Sequence, residues 1–185
     1  MSIRTTLTAL VAAILLGSCG EDPVPKPKAM LRLDYPVHAY KVLDADCPYT
    51  FEFNRLAAQS EESGCNLVLD YKPMKGSIYI TYKPVEGNLK ELLSDAQKLS
   101  YEHVVKADNI LEQPYVDPDN GVYGMFYEVK GDAASQSQFY VTDSTRHFVT
   151  GSLYFYAKPN YDSILPAAVY LQNDIRRLME SLRWK

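Results

Sequence analysis

Apolar residues recur along this chain in three rhythms, and each rhythm assigns a kind of segment. Residues 7–16 form an almost unbroken apolar block, preceded by Arg4 and followed by Leu16-Gly17-Ser18-Cys19. Tyr49-Thr50-Phe51-Glu52-Phe53 alternates aromatic with polar side chains, as a strand with one wet face does, and Leu31-Arg32-Leu33 repeats the pattern briefly. Residues 65–71 place Cys65, Leu67, Leu69 and Tyr71 on one side of a strand, and residues 77–83 do the same with Ile78, Ile80 and Tyr82. From Asn88, a candidate N-cap, the spacing changes. Leu89, Leu92, Leu93, Ala96, Leu99 and His103 recur every three or four residues, which predicts an amphipathic helix to about Lys106.

Four further strands are predicted over residues 110–116, 122–130, 138–142 and 146–156. Their separators are Asp117-Pro118-Asp119-Asn120-Gly121, Gly131-Asp132 and Asp143-Ser144-Thr145. These residue types turn the chain tightly by local side-chain bonds or by tolerating positive φ. A last helix is predicted from Asp162-Ser163, with Pro166 in its first turn, where a missing N–H has no partner. Its apolar stripe is Ile164, Ala168, Leu171, Ile175, Leu178 and Leu182. Strands followed by a helix, then four strands joined by short turns and a closing helix, describe an α+β domain rather than a doubly wound one. The expectation is a single domain over residues 31–185: a mainly antiparallel sheet of about six or seven strands with two amphipathic helices. The order of elements is similar to that of the Mog1/PsbP-like domains.

The amino-terminal block has a different meaning. A positive residue, an apolar core and a small-residue site make a secretory signal peptide, and about ten apolar residues are too few to span a hydrocarbon core. Leu16-Gly17-Ser18-Cys19 resembles the lipobox of bacterial lipoproteins, in which the cysteine is joined to diacylglycerol. That resemblance implies a lipid attachment at Cys19, cleavage of residues 1–18, and acyl chains, palmitate among them, that hold the protein on a membrane. The alternative is an ordinary signal peptide with a cysteine beside its cleavage point. Two or three acyl chains, at about 0.8 kcal/mol per buried methylene, hold far more firmly than one. Residues 19–30 then read as the acylated cysteine and a proline-rich tether, Pro23-Val24-Pro25-Lys26-Pro27-Lys28, which reaches roughly 30 Å in extended polyproline geometry.

Charge and composition narrow the function. Losing residues 1–18 removes Arg4 alone among the charged residues, which leaves 18 basic against 23 acidic side chains, a net of −5. An acidic surface disfavours nucleic acid and anionic headgroups as partners. An export signal also implies an oxidising compartment. Cys47 and Cys65 are then expected to form a disulfide, with two free buried thiols as the other reading. His38, His103 and His147 are far apart and no CxxC or HExxH spacing exists, so no metal is expected. His103 and His147 read as histidines at the edge of the core.

Residues 117–121 faintly resemble a calcium loop but lack the ligand at its twelfth position, so a turn is the better reading. Asp143, Ser144 and His147 lie in one turn and strand start, where a triad's geometry is rarely met, and no GxSxG elbow supports a hydrolase. The nine glycines are scattered singly, without a phosphate loop. Neither cofactor nor enzymatic activity is expected. Seven of the fifteen tyrosines, Tyr79, Tyr82, Tyr123, Tyr127, Tyr140, Tyr154 and Tyr156, fall on predicted strands. They read either as packing at the sheet's rim or as a docking face for a protein, with Tyr154 and Tyr156 as the candidate interaction surface.

Read together, several segments resemble the gliding-motility lipoprotein GldD family. They are Pro25-Lys26-Pro27-Lys28 leading to residues 31–36, Cys47-Pro48-Tyr49-Thr50-Phe51-Glu52, Cys65-Asn66-Leu67-Val68-Leu69-Asp70 and residues 103–108. The likeness continues through Tyr123-Gly124, Gln138-Phe139, residues 142–148, Gly151-Ser152-Leu153-Tyr154-Phe155 and Trp184-Lys185. Ala29-Met30 depart from the glycine and aromatic residue usual in that family. The resemblance implies a non-enzymatic envelope lipoprotein facing the periplasm, on the inner or outer membrane, that acts with other gliding-machinery proteins in cells using type IX secretion. The other reading is a lipoprotein that binds or weakly processes a small ligand between sheet and helix, using His103 with Asp108.

Overall fold

A computed structural model describes residues 34–102, 106–156 and 161–185. Cys19, the signal peptide, the tether, the strand predicted at residues 31–33 and His103 lie outside the described residues. Seven strands form one antiparallel sheet: β4 (Ala58–Glu62), β5 (Asn66–Tyr71), β6 (Gly76–Pro84), β7 (Ala107–Asp117), β8 (Val122–Gly131), β9 (Ser135–Thr142) and β10 (His147–Phe155). Their order across the sheet is β4-β5-β6-β10-β9-β8-β7. Two short ladders stand apart. Strand β1 (Tyr40–Val42) pairs with β3 (Glu52–Asn54), and β2 (Tyr49–Thr50) pairs with the chain's last strand, β11 (Arg183–Trp184). The expected class, an α+β domain with an antiparallel sheet and two helices, is the observed one.

The segment predicted as one strand over residues 49–53 is thus split, and neither half joins the large sheet. Its aromatic side instead fills the core, since Tyr49, Phe51 and Phe53 are all buried. Strand β4 was not legible as a strand: Ala-Gln-Ser-Glu-Glu has almost no apolar member, because an edge strand with little cover gains nothing from one. Its two glutamates guard an edge that would otherwise pair with another chain.

The two helices cover opposite faces. Helix α1 (Leu89–Tyr101) lays Leu92 over Tyr127, Tyr140 and Phe148. It ends at Tyr101, short of the predicted Lys106, and Ala107 already belongs to β7. Asn88 does stand at the N-cap position, but its side chain accepts from the N–H of Glu86 behind it rather than from the helix. Helix α2 (Tyr161–Ser181) buries Leu171, Ile175 and Leu178 against Leu67, Leu69, Ile78, Ile80, Phe139, Val141, Val149 and Leu153. Asp162 and Ser163 are inside this helix, so Pro166 falls in its second described turn and not its first.

Close packing on the α2 face depends on Gly151. A Cβ there would sit 2.0 Å from the ring of Phe139 on the neighbouring strand, so the glycine is the space into which that ring fits. At the far end of the same strand the expected turn forms. Asp143 Oδ1 accepts from the backbone N–H of Thr145, Arg146 and His147 at 2.9, 2.8 and 2.8 Å, which lets Ser144 take a left-handed φ of 67°.

Candidate functional site

Alternation along the central strands decides which tyrosines can meet a partner. On the face opposite α2, β5 presents Val68 and Asp70, β6 presents Ser77, Tyr79 and Thr81, and β10 presents Thr150, Ser152 and Tyr154. Helix α1 covers the β8–β10 side of that face through Tyr127, Tyr140 and Phe148. Among the described residues, α1 leaves Tyr79 and Tyr156 on this face exposed. There Tyr79 and Tyr154 meet edge to face with centroids 5.8 Å apart, and the Tyr79 and Tyr156 hydroxyls lie 3.3 Å apart. Ser77 Oγ is 2.7 Å from the Tyr156 hydroxyl and donates to Asp70 Oδ1 at 2.9 Å.

This chain of hydrogen bonds orients two exposed rings. Tyr79 is 37% and Tyr156 60% exposed, while Tyr154 is half-buried. The bond to Tyr156, followed by burial and the nearby Asp70 and Glu62, pushes the Tyr79 hydroxyl up to about 12. Burial also raises Tyr154. Both phenols are therefore neutral hydrogen-bonding groups at physiological pH. The seven strand tyrosines divide accordingly. Tyr127 and Tyr140 are packing under α1, Tyr82 turns to the other face, and Tyr123 is separate at the far side of the sheet. Tyr79, Tyr154 and Tyr156 come together.

The Cys47–Cys65 disulfide closes a separation of 18 residues with Cα atoms 5.6 Å apart. It ties the loop before β2 to the turn before β5, and Tyr49 donates its hydroxyl proton to the Cys65 carbonyl at 2.6 Å. His147 is held in the manner expected of a core-edge residue. Its Nδ1 lies 2.9 Å from the Tyr82 hydroxyl, and its ring stacks on Trp184. Asp143 spends its carboxylate on the turn, and the His147 Nδ1 that a triad acid would face lies against the Tyr82 hydroxyl instead. Although burial opposes it, the backbone N–H bonds from Arg146, His147 and Thr145 hold Asp143 down at about 2. Residues 117–121 form a turn in which Asp117 bonds Asn120. Among the described residues no group of three or more His, Cys, Asp or Glu side chains is placed to hold a metal ion.

Sequence reasoning missed a second polar cluster, under α2. Asp174 is buried on the apolar face of the helix and accepts from Asn54 Nδ2 at 2.9 and 3.2 Å. His38 Nε2 lies 3.5 Å from the same carboxylate, and the imidazole stacks on Tyr170 at 4.1 Å. Tyr35 packs on the same Tyr170 ring. Burial raises the Asp174 pKa against the opposing Asn54 bond and His38. Burial and then the Asp174 carboxylate raise Tyr71 and Tyr40. These residues fasten the segment that leads into β1 onto α2. The available signal was Asp174 four residues after Tyr170 within an otherwise apolar stripe. Of the pair proposed for a small ligand, His103 is outside the described residues and Asp108 is exposed beside the irregularity at the start of β7.

The described residues contain no helix long and apolar enough to cross a membrane. A family model described as the gliding motility lipoprotein GldD matches residues 20–184. No curated protein matches the chain.

Proposed function

The chain belongs to the GldD family of gliding motility lipoproteins, and on that premise we propose that it is a non-enzymatic interaction module of the gliding machinery. Its lipid is attached at Cys19, and the domain faces the periplasm on the roughly 30 Å tether, beside the type IX secretion apparatus. The observation that carries this reading is the cluster of Tyr79, Tyr154 and Tyr156 on sheet surface that α1 leaves open. Large rigid rings with a hydroxyl at the tip supply contact area at small entropic cost, which is why tyrosine is enriched at the centres of protein interfaces. The hydrogen bonds through Ser77 and Asp70 hold those rings in place before a partner arrives, so less freedom is lost on docking.

Family membership supports the role in gliding, and the acidic, tyrosine-bearing surface supports a protein partner over nucleic acid. The test is made in cells. Replacing the gene with a Tyr79→Ser, Tyr156→Ser form should leave the protein folded and at normal abundance yet stop spreading over surfaces. A photo-crosslinking residue at position 156 should capture one envelope protein of the machinery. Normal spreading with both substitutions in place sinks the assignment to this face, and normal spreading with Cys19→Ala sinks the anchored module.

A further inference from the structure

Two features beside the tyrosine cluster describe the chemistry of what docks on it. The first is charge. Asp70 pairs with Ser77 in the β5–β6 register, and alternation along β4 puts Glu62 on the same face, two pairs beyond the Ala58–Asp70 pair. Glu102 stands at the C-cap of α1. The phenols feel all three. After its bond to Tyr156 and its burial, the Tyr79 hydroxyl is raised further by Asp70 and Glu62, and Tyr154, raised first by burial, is raised further by Glu102. Asp70 gives one oxygen to the Ser77 hydroxyl, and among the described residues no basic side chain forms an ion pair with any of the three acids. Nor do they converge on a point, since no three such groups among the described residues are placed to hold a metal ion. Negative potential spread over an aromatic surface suits a side-chain cation, which both the carboxylates and the ring faces attract.

The second feature is a cleft of 210 Å³ between α1 and the strands β6 and β10. Leu92, Ala96 and Leu99 form its helix wall, Phe148 packs with Leu92, and Leu99 is 38% exposed. Lys83 and Asp95 also line it, one charge of each sign, so the cleft favours an uncharged, apolar group. Thr81, on its strand side, follows Tyr79 by two residues on the same face of β6, a step of about 7 Å. An extended segment presents alternate side chains to one surface with that same step. We propose that the partner docks an extended segment along β6, with an arginine or lysine over Tyr79, Tyr154 and Tyr156 and an aliphatic side chain two residues away in the α1 cleft. This partner chemistry rests on the docking reading of the same face.

The test uses the full acylated chain in zwitterionic detergent micelles. The probes are capped, dye-labelled serine-glycine peptides that carry arginine and leucine two positions apart, in both orders. Fluorescence anisotropy should show saturable binding of at least one order, with a Kd of about 1 mM or tighter. Replacing the arginine by neutral citrulline should weaken it about tenfold. Asp70→Asn with Glu62→Gln, which keeps an acceptor for Ser77, should do the same to the arginine peptide and leave the citrulline peptide unchanged. Replacing the leucine by alanine, or Leu99→Ser in the protein, should each cost about tenfold as well. Glu91→Gln, an exposed acid of α1 outside both features, should change nothing. No saturation with either order overturns the inference, as does equal binding of the citrulline peptide or an equal loss from Glu91→Gln. Capture of a partner from position 156 in cells alongside failure of both peptides leaves the docking face standing and removes only this chemistry. Peptide binding alongside normal spreading of the Tyr79→Ser, Tyr156→Ser strain supports the chemistry and removes its role in gliding.

Discussion

The imidazole of His147 lies on the indole of Trp184, with ring centroids 5.2 Å apart and planes 20° from parallel. The penultimate residue of the chain thereby closes the end of the sheet where β10 begins. Trp184 also donates Nε1–H to the Gly121 carbonyl at 3.0 Å and pairs with Tyr49 across the β2–β11 ladder. Trp184→Ala should cost about 2 kcal/mol, less than for a fully buried indole because this one is partly exposed. In a domain of this size that lowers the thermal midpoint by roughly 4–8 °C. Trp184→Phe keeps a stacking ring but loses the bond to Gly121, and about 1 kcal/mol is expected for it. Melting curves of the two variants check both.

Asp143 makes stability fall at low pH. Its folded pKa, held at about 2 against an ordinary 3.8, is depressed. The stabilisation is therefore fully present above 3.8 and is lost as pH falls through about 2. Asp143→Ala should cost about 1–2 kcal/mol at neutral pH, as loss of a helix or turn cap does. It should also flatten the acid limb of a urea-midpoint against pH profile.

Asp174 acts with the opposite sign. Burial raises its folded pKa above 3.8, so its contribution is greatest when the carboxyl is protonated and is lost as pH rises through the folded value. The groups facing it are Asn54, His38, Tyr40, Tyr71 and Tyr170. Asp174→Asn should remove the decline in urea midpoint above pH 3.8, and Asn54→Ala should destabilise by about 2–3 kcal/mol by removing the amide contacts to the buried carboxyl.

Reduction of the Cys47–Cys65 bridge should lower stability by about 3 kcal/mol in the chain-entropy account for a loop of this length. Denaturant midpoints with and without reductant measure it. A mass increase of two hydrogens on reduction accompanies the shift.

Periodicity revealed β5 and β6 because each buries one side, which forces alternation into the sequence, whereas β9 is buried on both faces and was bounded by its turn residues instead. It failed at β4, whose residues contact water on most sides, and at residues 49–54, where aromatic alternation reports burial but not which strand is the partner. The tyrosine cluster was half legible. Tyr154 and Tyr156 were visible as tyrosines near one strand end, whereas Tyr79 joins them through pairing of β6 with β10, a contact about 75 residues apart in the chain that no local pattern encodes. The Asp174 cluster was hidden for a related reason: one acid in a helix reads as a solvated face until Asn54 and His38 are seen to meet it.

The fastening of the first described segment has a mechanical consequence. Any load that enters through Asp34 first meets the Tyr35 and His38 rings packed on Tyr170 and then the β1–β3 ladder of three residue pairs. Behind them stands the β6–β10 ladder, with nine pairs in register. Tension along the chain is therefore taken first by this short attachment, ahead of the sheet that carries Tyr79 and Tyr154.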